Sequence, residues 1–207
     1  MENKLHKIKV QLKSGSEKLK FGDKEIQISL LDFWRWSVSD LLSNTIRGRF
    51  AEFIVKSALE INGNILRVEW DSYDLKTDDG IKIEVKSSAY IQSWEQEKYS
   101  EINFSIKPTR HYDAENKFKR GSAKRHADLY VFCILNHKNQ ETINPLQLEQ
   151  WTFYVLSTFN LEKNYPNKKS ISLKKLDSWT KPVNYFQLNE KVRETYQNMI
   201  SVQKITP

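Results

Sequence analysis

The sequence predicts an α/β fold, a central mixed sheet flanked by helices, and three stretches predict it. After the turn signal Asp78-Asp79-Gly80, Ile81, Ile83 and Val85 alternate with Lys82, Glu84 and Lys86. A period of two places the aliphatics on one face of a strand and the charges on the other. Ahead of it, Ile46, Phe50, Phe53, Ile54, Val55 and Leu59 give an apolar helical stripe. Behind it, Leu129-Tyr130-Val131-Phe132-Cys133-Ile134-Leu135 is apolar throughout, the pattern of a central strand covered on both faces.

Taken in order, residues 1–29 read as an N-terminal β extension. Lys7 to Lys13 alternates as a strand, and Lys20 to Ile28 reads as a small hairpin turning at Gly22-Asp23. These strands add to a sheet edge or help a homodimer form. Residues 30–42 are helical in pattern, and Ser43 or Asn44 breaks the helix and caps a second one that runs to Leu59. Gly48 inside that helix costs about 1 kcal/mol relative to Ala and is expected to mark close packing against the sheet. Asn62-Gly63-Asn64 ends it. Ile65 to Leu75 then forms the first strand of a hairpin whose turn suits Asp and Gly, the residues that accept left-handed backbone angles. Ile102 to Ile106 and Gln150 to Leu156 read as further strands. Ser170 to Leu176 reads as strand passing into a helical turn. Asn189 caps a final helix, 190–199, with Val192, Tyr196 and Met199 on its apolar side.

Composition removes several classes of function. A length of 207 residues suits one domain with appendages. Six Trp, nine Tyr and ten Phe argue against disorder. The lone Cys133 excludes an intrachain disulfide and a cysteine-rich zinc site. No stretch approaches the ~18 apolar residues of a membrane-spanning helix. The basic start Met1–Lys7 is followed by no apolar run, so no secretory leader is expected and the location is cytoplasmic. A net charge of +7 fits a polyanionic partner.

The chemistry concentrates on the hairpin. Glu84 and Lys86 share one face, and Asp74 approaches them across the strand pair. Two carboxylates make a hard-oxygen site suited to Mg²⁺, which keeps several waters and needs only one or two protein carboxylates. A lysine two residues on, pointing the same way, would orient or activate a water. The plain alternative is a solvated strand face whose charges pair with each other. Asp71 stands as an alternative to Asp74, on the opposite face of a regular strand and on the same face if a bulge intervenes. Glu52 shares a helix face with Arg49 and Lys56 and reads either as their surface partner or as an outer ligand acting through water.

Asp74 followed ten residues later by Glu84-Val85-Lys86 resembles the PD-(D/E)xK nuclease superfamily, the restriction-endonuclease-like fold. Its signature is an Asp, a spacer of this length across a hairpin, then Glu-x-Lys on a strand. Arg47-Gly48-Arg49-Phe50-Ala51-Glu52 extends the likeness, since many members carry a glutamate on the helix before the hairpin. Arg125 to Phe132 resembles a later core strand. Tyr73 stands where a proline is frequent. The resemblance covers roughly residues 40–160 and implies a nuclease core over 30–160, with 161–207 as a basic, helical extension of the same domain. It also implies that Asp74, Glu84 and the Val85 carbonyl hold Mg²⁺, with Mn²⁺ able to substitute, and that Lys86 and Glu52 complete the catalytic set. The activity implied is metal-dependent hydrolysis of phosphodiester bonds in DNA, duplex first, by an endonuclease of restriction or phage-defence type. A methyltransferase or other defence subunit is then a possible companion. A repair or recombination nuclease, or an inactive DNA-binding or assembly module of the same fold, are the alternatives.

Contacts to DNA are expected in two places. Ser87, Ser88 and Gln92 follow the lysine, where related nucleases approach the scissile phosphate; an ordinary exposed amide is the alternative for Gln92. Between Lys107 and His126 the sequence holds seven cations (Lys107, Arg110, Lys117, Lys119, Arg120, Lys124 and Arg125) against Asp113 and Glu115, with His111, Tyr112 and Phe118 interleaved. Such a segment anchors phosphates and meets bases, or is simply a solvated loop. Asp128 is expected to pair with Lys86 or Arg125, or to orient the site from behind the residues that touch it.

Overall fold

The computed structural model describes residues 8–61, 66–67, 72–109 and 123–205. The chain divides into two compact units, one of Met1–Asp40 with Gly63–Arg67 and one of Leu41–Asn62 with Val68–Pro207.

In the first unit, β1 (Lys18–Phe21) and β2 (Lys24–Ser29) form the expected hairpin, and Gly22 takes a φ of 60° in its turn. Helix α1 (Leu30–Val38) starts at a capping box, in which Ser29 Oγ accepts from Asp32 N and Asp32 Oδ2 accepts from Ser29 N at 2.7 Å. The next N–H groups, of Leu30 and Leu31, donate to the carbonyls of Glu17 and Gly15 at 2.9 Å. Gly15 has a φ of 93°, and a Cβ there would sit 2.8 Å from the Trp34 ring, so only glycine fits. Of the expected strand over 7–13, residues 8–13 are described and are not strand. Helix α1 stops earlier than its pattern suggests and has no buried residue.

The second unit is built on a four-stranded sheet. Its strands are β3 (Leu75–Lys76), β4 (Lys82–Ala89), β6 (Leu129–Leu135) and β7 (Trp151–Ser157), in the order β3-β4-β6-β7. Pairing is antiparallel for β3/β4 and β6/β7 and parallel for β4/β6, with Glu84 opposite Tyr130 and Lys86 opposite Phe132. The sheet is therefore mixed, as expected, and every residue of β6 is buried. Two short strands, β5 (Asn103–Ser105) and β8 (Ser170–Ser172), form a separate antiparallel pair.

Alternation distributes the sheet's side chains to two cores. Ile83, Val85, Val131, Cys133 and Phe153 meet α2 (Asn44–Ala58) and α5 (Leu188–Ile205) through Ala51, Ile54, Val55, Leu188 and Val192. Tyr130, Phe132, Ile134 and Leu156 meet Phe104, Ile106 and Ile171, together with Leu161 of α3 (Thr158–Asn164) and Leu176 of α4 (Leu173–Trp179). Each fully buried aliphatic contributes roughly 1.5–3 kcal/mol.

Three local expectations need correction. The buried stripe of α2 holds Arg47, Ala51, Ile54 and Val55, whereas Phe53 is 61 % exposed; the helix is rotated so that the guanidinium rather than the ring faces inward. Gly48 marks no close approach, because a Cβ there would meet nothing within 4 Å. Before the turn, only Leu75–Lys76 is strand and Ser72–Asp74 is bent; much of the remaining 65–71 stretch, Asp71 included, lies outside the described residues. The final helix is longer than expected but keeps its apolar side, with Val192 and Met199 buried.

Candidate active site

The hairpin turn is closed by side chains as well as backbone. Thr77 N donates to the Ile81 carbonyl at 3.0 Å, Ile81 N donates to Thr77 Oγ1 at 2.9 Å, and Gly80 has a φ of 97°. Arg193 of α5 pairs with Asp79, anchoring the turn to the helix.

Immediately before β3 the pairing becomes irregular. Leu75 stands opposite Ile83, yet it is Asp74 N that donates to the Ile83 carbonyl, at 3.0 Å. Two residues thus answer one, and the Asp74 carboxylate swings against the edge of β4, where Oδ2 accepts from Val85 N at 2.7 Å. A carboxylate oxygen takes the place a strand carbonyl would hold. In a strand the N–H and C=O of one residue point to the same side, so the Val85 carbonyl faces the edge on which Asp74 sits.

Glu84 and Lys86 project from the other face of β4 to Ile83 and Val85, and Lys86 Nζ lies 2.5 Å from Glu84 Oε1. Both are half-buried, with side-chain exposures of 22 % and 29 %. Burial first, then the charges of Glu84 and Glu52, push the Asp74 carboxyl up to about 6, against the opposing pull of the Val85 N–H and of Lys86. Asp74 thus lies within the field of Glu84, Glu52 and Lys86. Burial and the Glu84 charge also hold the Tyr130 phenol well above its ordinary range, so it stays protonated.

Three carboxylates around one ammonium leave an excess of negative charge, partly desolvated. That is the electrostatic demand of a cation site, and the donor set is one of hard oxygens. Among the described residues no group of three His, Cys, Asp or Glu side chains is placed to hold a metal ion. The oxygens at this edge of β4 that could serve a cation are those of Asp74, Glu84 and the Val85 carbonyl. This suits an ion that retains several waters.

The residues expected to touch DNA divide sharply. Lys124 is exposed and its backbone pairs both ways with Thr109 at 3.0 Å, closing the base of the basic segment. Arg110, Lys117, Lys119 and Arg120 lie outside the described residues. Arg125 points inward: its guanidinium donates to the carbonyls of Ile106, Tyr165 and Lys168 and pairs with Glu162 at 2.8 Å. It staples the loop to the second core. Ser88 is buried on β4. Gln92 is also buried, and its amide accepts from Arg47 and donates to the Ala89 carbonyl and Ser100 Oγ. Asp128 pairs with neither Lys86 nor Arg125; its Oδ2 accepts from Lys82 N at 2.8 Å and starts the β4/β6 register.

Arg47 enters the sequence reading only as the start of the 47–52 stretch and is given no role there. It is buried and donates to Leu42 O at 2.8 Å, Asn44 Oδ1 at 2.6 Å, Gln92 Oε1 at 2.9 Å and Ser87 Oγ at 3.3 Å. It thereby ties α2 to the residue after Lys86. The signal was present, since positions 47, 51, 54 and 55 share one helix face.

Residues 7–175 match the model of the bacteriophage T4 endonuclease IV family. The chain belongs to that family. The matched span contains Glu52, Asp74, Glu84 and Lys86 and all four strands of the central sheet. Membership in the endonuclease IV family makes the chain a nuclease and implies DNA as its substrate class. No curated protein sequence matches the chain. Among the described residues, no helix is long and apolar enough to cross a membrane.

Proposed function

We propose that this protein is a Mg²⁺-dependent DNA endonuclease whose reaction centre is the hairpin strand β4. The observation that carries this reading is the Asp74 carboxylate seated on the Val85 amide beside the Glu84–Lys86 pair. Asp74, Glu84 and the Val85 carbonyl would hold Mg²⁺ or Mn²⁺. When bound, the ion supplies charge on the phosphate and a lowered pKa for water there. Lys86, held by Glu84, orients the attacking water and donates to the phosphoryl oxygens as charge builds on them. Glu52 acts from the helix, through water. The exposed base of the 107–126 segment offers Lys124 to phosphates. The PD-(D/E)xK likeness of the Asp74 and Glu84-Val85-Lys86 spacing supports the same assignment. Within it a restriction or phage-defence role on duplex DNA, with a methyltransferase as companion, remains our proposal for the biological setting.

The test is direct metal binding by calorimetry together with cleavage of DNA. Wild type should bind Mg²⁺ or Mn²⁺ and cut, stop cutting with chelator, and bind DNA without cutting it in Ca²⁺. Lys86→Ala should retain DNA and lose cleavage. A wild-type chain that binds neither ion even with DNA present would leave a DNA-binding module of the same fold.

A further inference from the structure

Beyond the C-terminal ends of the parallel strands β4 and β6 lies a cavity of about 800 Å³ that the reaction centre does not use. Crevices at the carboxyl ends of parallel strands are where open α/β sheets place ligands. Trp94 and Tyr99 line it, each 53 % exposed. Aromatic rings open to solvent beside a cleft offer flat faces on which a ligand ring can stack.

Tyr99 stands on a fixed frame. Tyr99 Oη donates to the Lys138 carbonyl at 2.7 Å, and the Tyr90 and Tyr99 rings meet edge-on at 6.3 Å. The Lys138 ammonium sits 4.2 Å from the Tyr90 ring centre and 5.9 Å from that of Tyr99. Gln96 binds Gln92 N at 2.6 Å, the Tyr90 carbonyl at 3.2 Å and Ser100 Oγ at 3.0 Å, which fixes the course of 90–100.

The charges of the lining cancel: Lys98 and Lys138 against Glu97 and Glu141. That balance does not suit a phosphate. It suits a flat, neutral, π-faced group with a hydrogen-bonding edge, which carboxylates and the Gln140 amide can meet. Strand β4, which carries Lys86, ends three residues on at Ala89, about 10 Å along at the strand rise, and Ile91 and Trp94 of the cavity lining follow directly in the chain. A polynucleotide with its scissile phosphate at Lys86 can therefore place a nearby base in the cavity.

We propose that this cavity receives one unstacked nucleobase of the DNA strand being cut, stacked against Trp94 and Tyr99. The proposal rests on the nuclease reading and adds a subsite to it. Base–aromatic stacking is strong and tolerant of sequence, so the site positions the strand whichever base arrives.

The experiment is an abasic scan. Fluorescence anisotropy in Ca²⁺ measures binding of short oligonucleotides, each lacking one base at a stepped position, to wild type, Trp94→Ala and Trp94→Phe. One abasic position should weaken wild-type binding about tenfold. Trp94→Ala should weaken binding of the intact oligonucleotide equally and become insensitive to that position, and Trp94→Phe should restore both. Wild-type binding that is indifferent to every abasic position overturns the proposal, and so do abasic and Trp94→Ala effects that multiply independently. The wild-type scan needs no variant to fold. Base-dependent binding without cleavage in Mg²⁺ sinks the nuclease reading and keeps the base site; cleavage with no abasic effect does the reverse.

Discussion

Strands β2 and β4 are written in nearly the same alternation. Glu25-Ile26-Gln27-Ile28 and Lys82-Ile83-Glu84-Val85-Lys86 both set aliphatics against polar residues with a period of two. Their fates differ. Ile26 and Ile28 are 39 % and 49 % exposed, whereas Ile83 and Val85 are 0 % and 7 % exposed. Among the described residues strand β2 pairs only with β1, while β4 lies between β3 and β6 with one face on the core formed with α2 and α5. The charges follow suit. Lys20 and Glu25 meet at 3.1 Å in solvent, where such a pair is worth little; Glu84 and Lys86 meet half-buried, beside a carboxylate pushed out of its ordinary range. Period two makes a strand, and the elements packed around it decide whether its charges stay in solvent or are partly desolvated.

The largest expected effect sharpens that contrast. Glu84→Ala should lower the cleavage rate about a thousandfold or more, since removing an ion's ligand costs several kcal/mol of transition-state stabilisation. Glu25→Ala should leave the rate unchanged. Equal losses in a nicking assay would erase the distinction between the two strands.

Packing comes next. Ile83→Ala should cost about 3–4 kcal/mol in urea unfolding, because the site is fully buried and cannot collapse around the void. Ile28→Ala should cost less than about 1 kcal/mol. Comparable costs would mean that β2 is covered in solution.

Asp74→Asn separates stability from function. The folded carboxyl sits near 6, above its unfolded value of 3.8, so the native state holds the proton more tightly. Its contribution to stability is complete below the unfolded value and is lost as pH rises through 6. Metal-free wild type should therefore lose on the order of 2–3 kcal/mol between pH 4 and 7 from this group alone. Asp74→Asn should remove that slope, unfold at higher temperature at pH 7.5, and fail to cut. A wild-type slope of opposite sign in that window, absent from Asp74→Asn, would overturn the electrostatic account of the site.

The smallest effect sets two neighbours apart. Lys124→Ala should reduce the salt dependence of DNA binding by about one unit of slope with no change in unfolding. Arg125→Ala should do the opposite, since its guanidinium holds three backbone carbonyls and Glu162. A thermal melt and a salt titration on each read the difference.

Much of the fold was legible because its signals are local. Turn chemistry located Asp78-Asp79-Gly80, alternation located β4, and an unbroken apolar run located β6. The Glu84–Lys86 pairing follows from the same period, as two residues on one strand must share a face. Alternation over 8–13 gave no strand: it describes a face and does not supply a partner ladder.

What the sequence by itself determined is most of the elements and, along β4 and β6, how the side chains face, because φ/ψ preference and period act over a few residues. The tertiary structure alone decided the parallel β4/β6 register, the slip that seats Asp74 on the Val85 amide, and the burial of Arg47, Gln92 and Arg125. Each of these depends on backbone carbonyls and amides brought from distant parts of the chain. A cation 19 residues from the carbonyl it meets, as Arg125 is from Ile106, carries no local mark of whether it faces solvent or core.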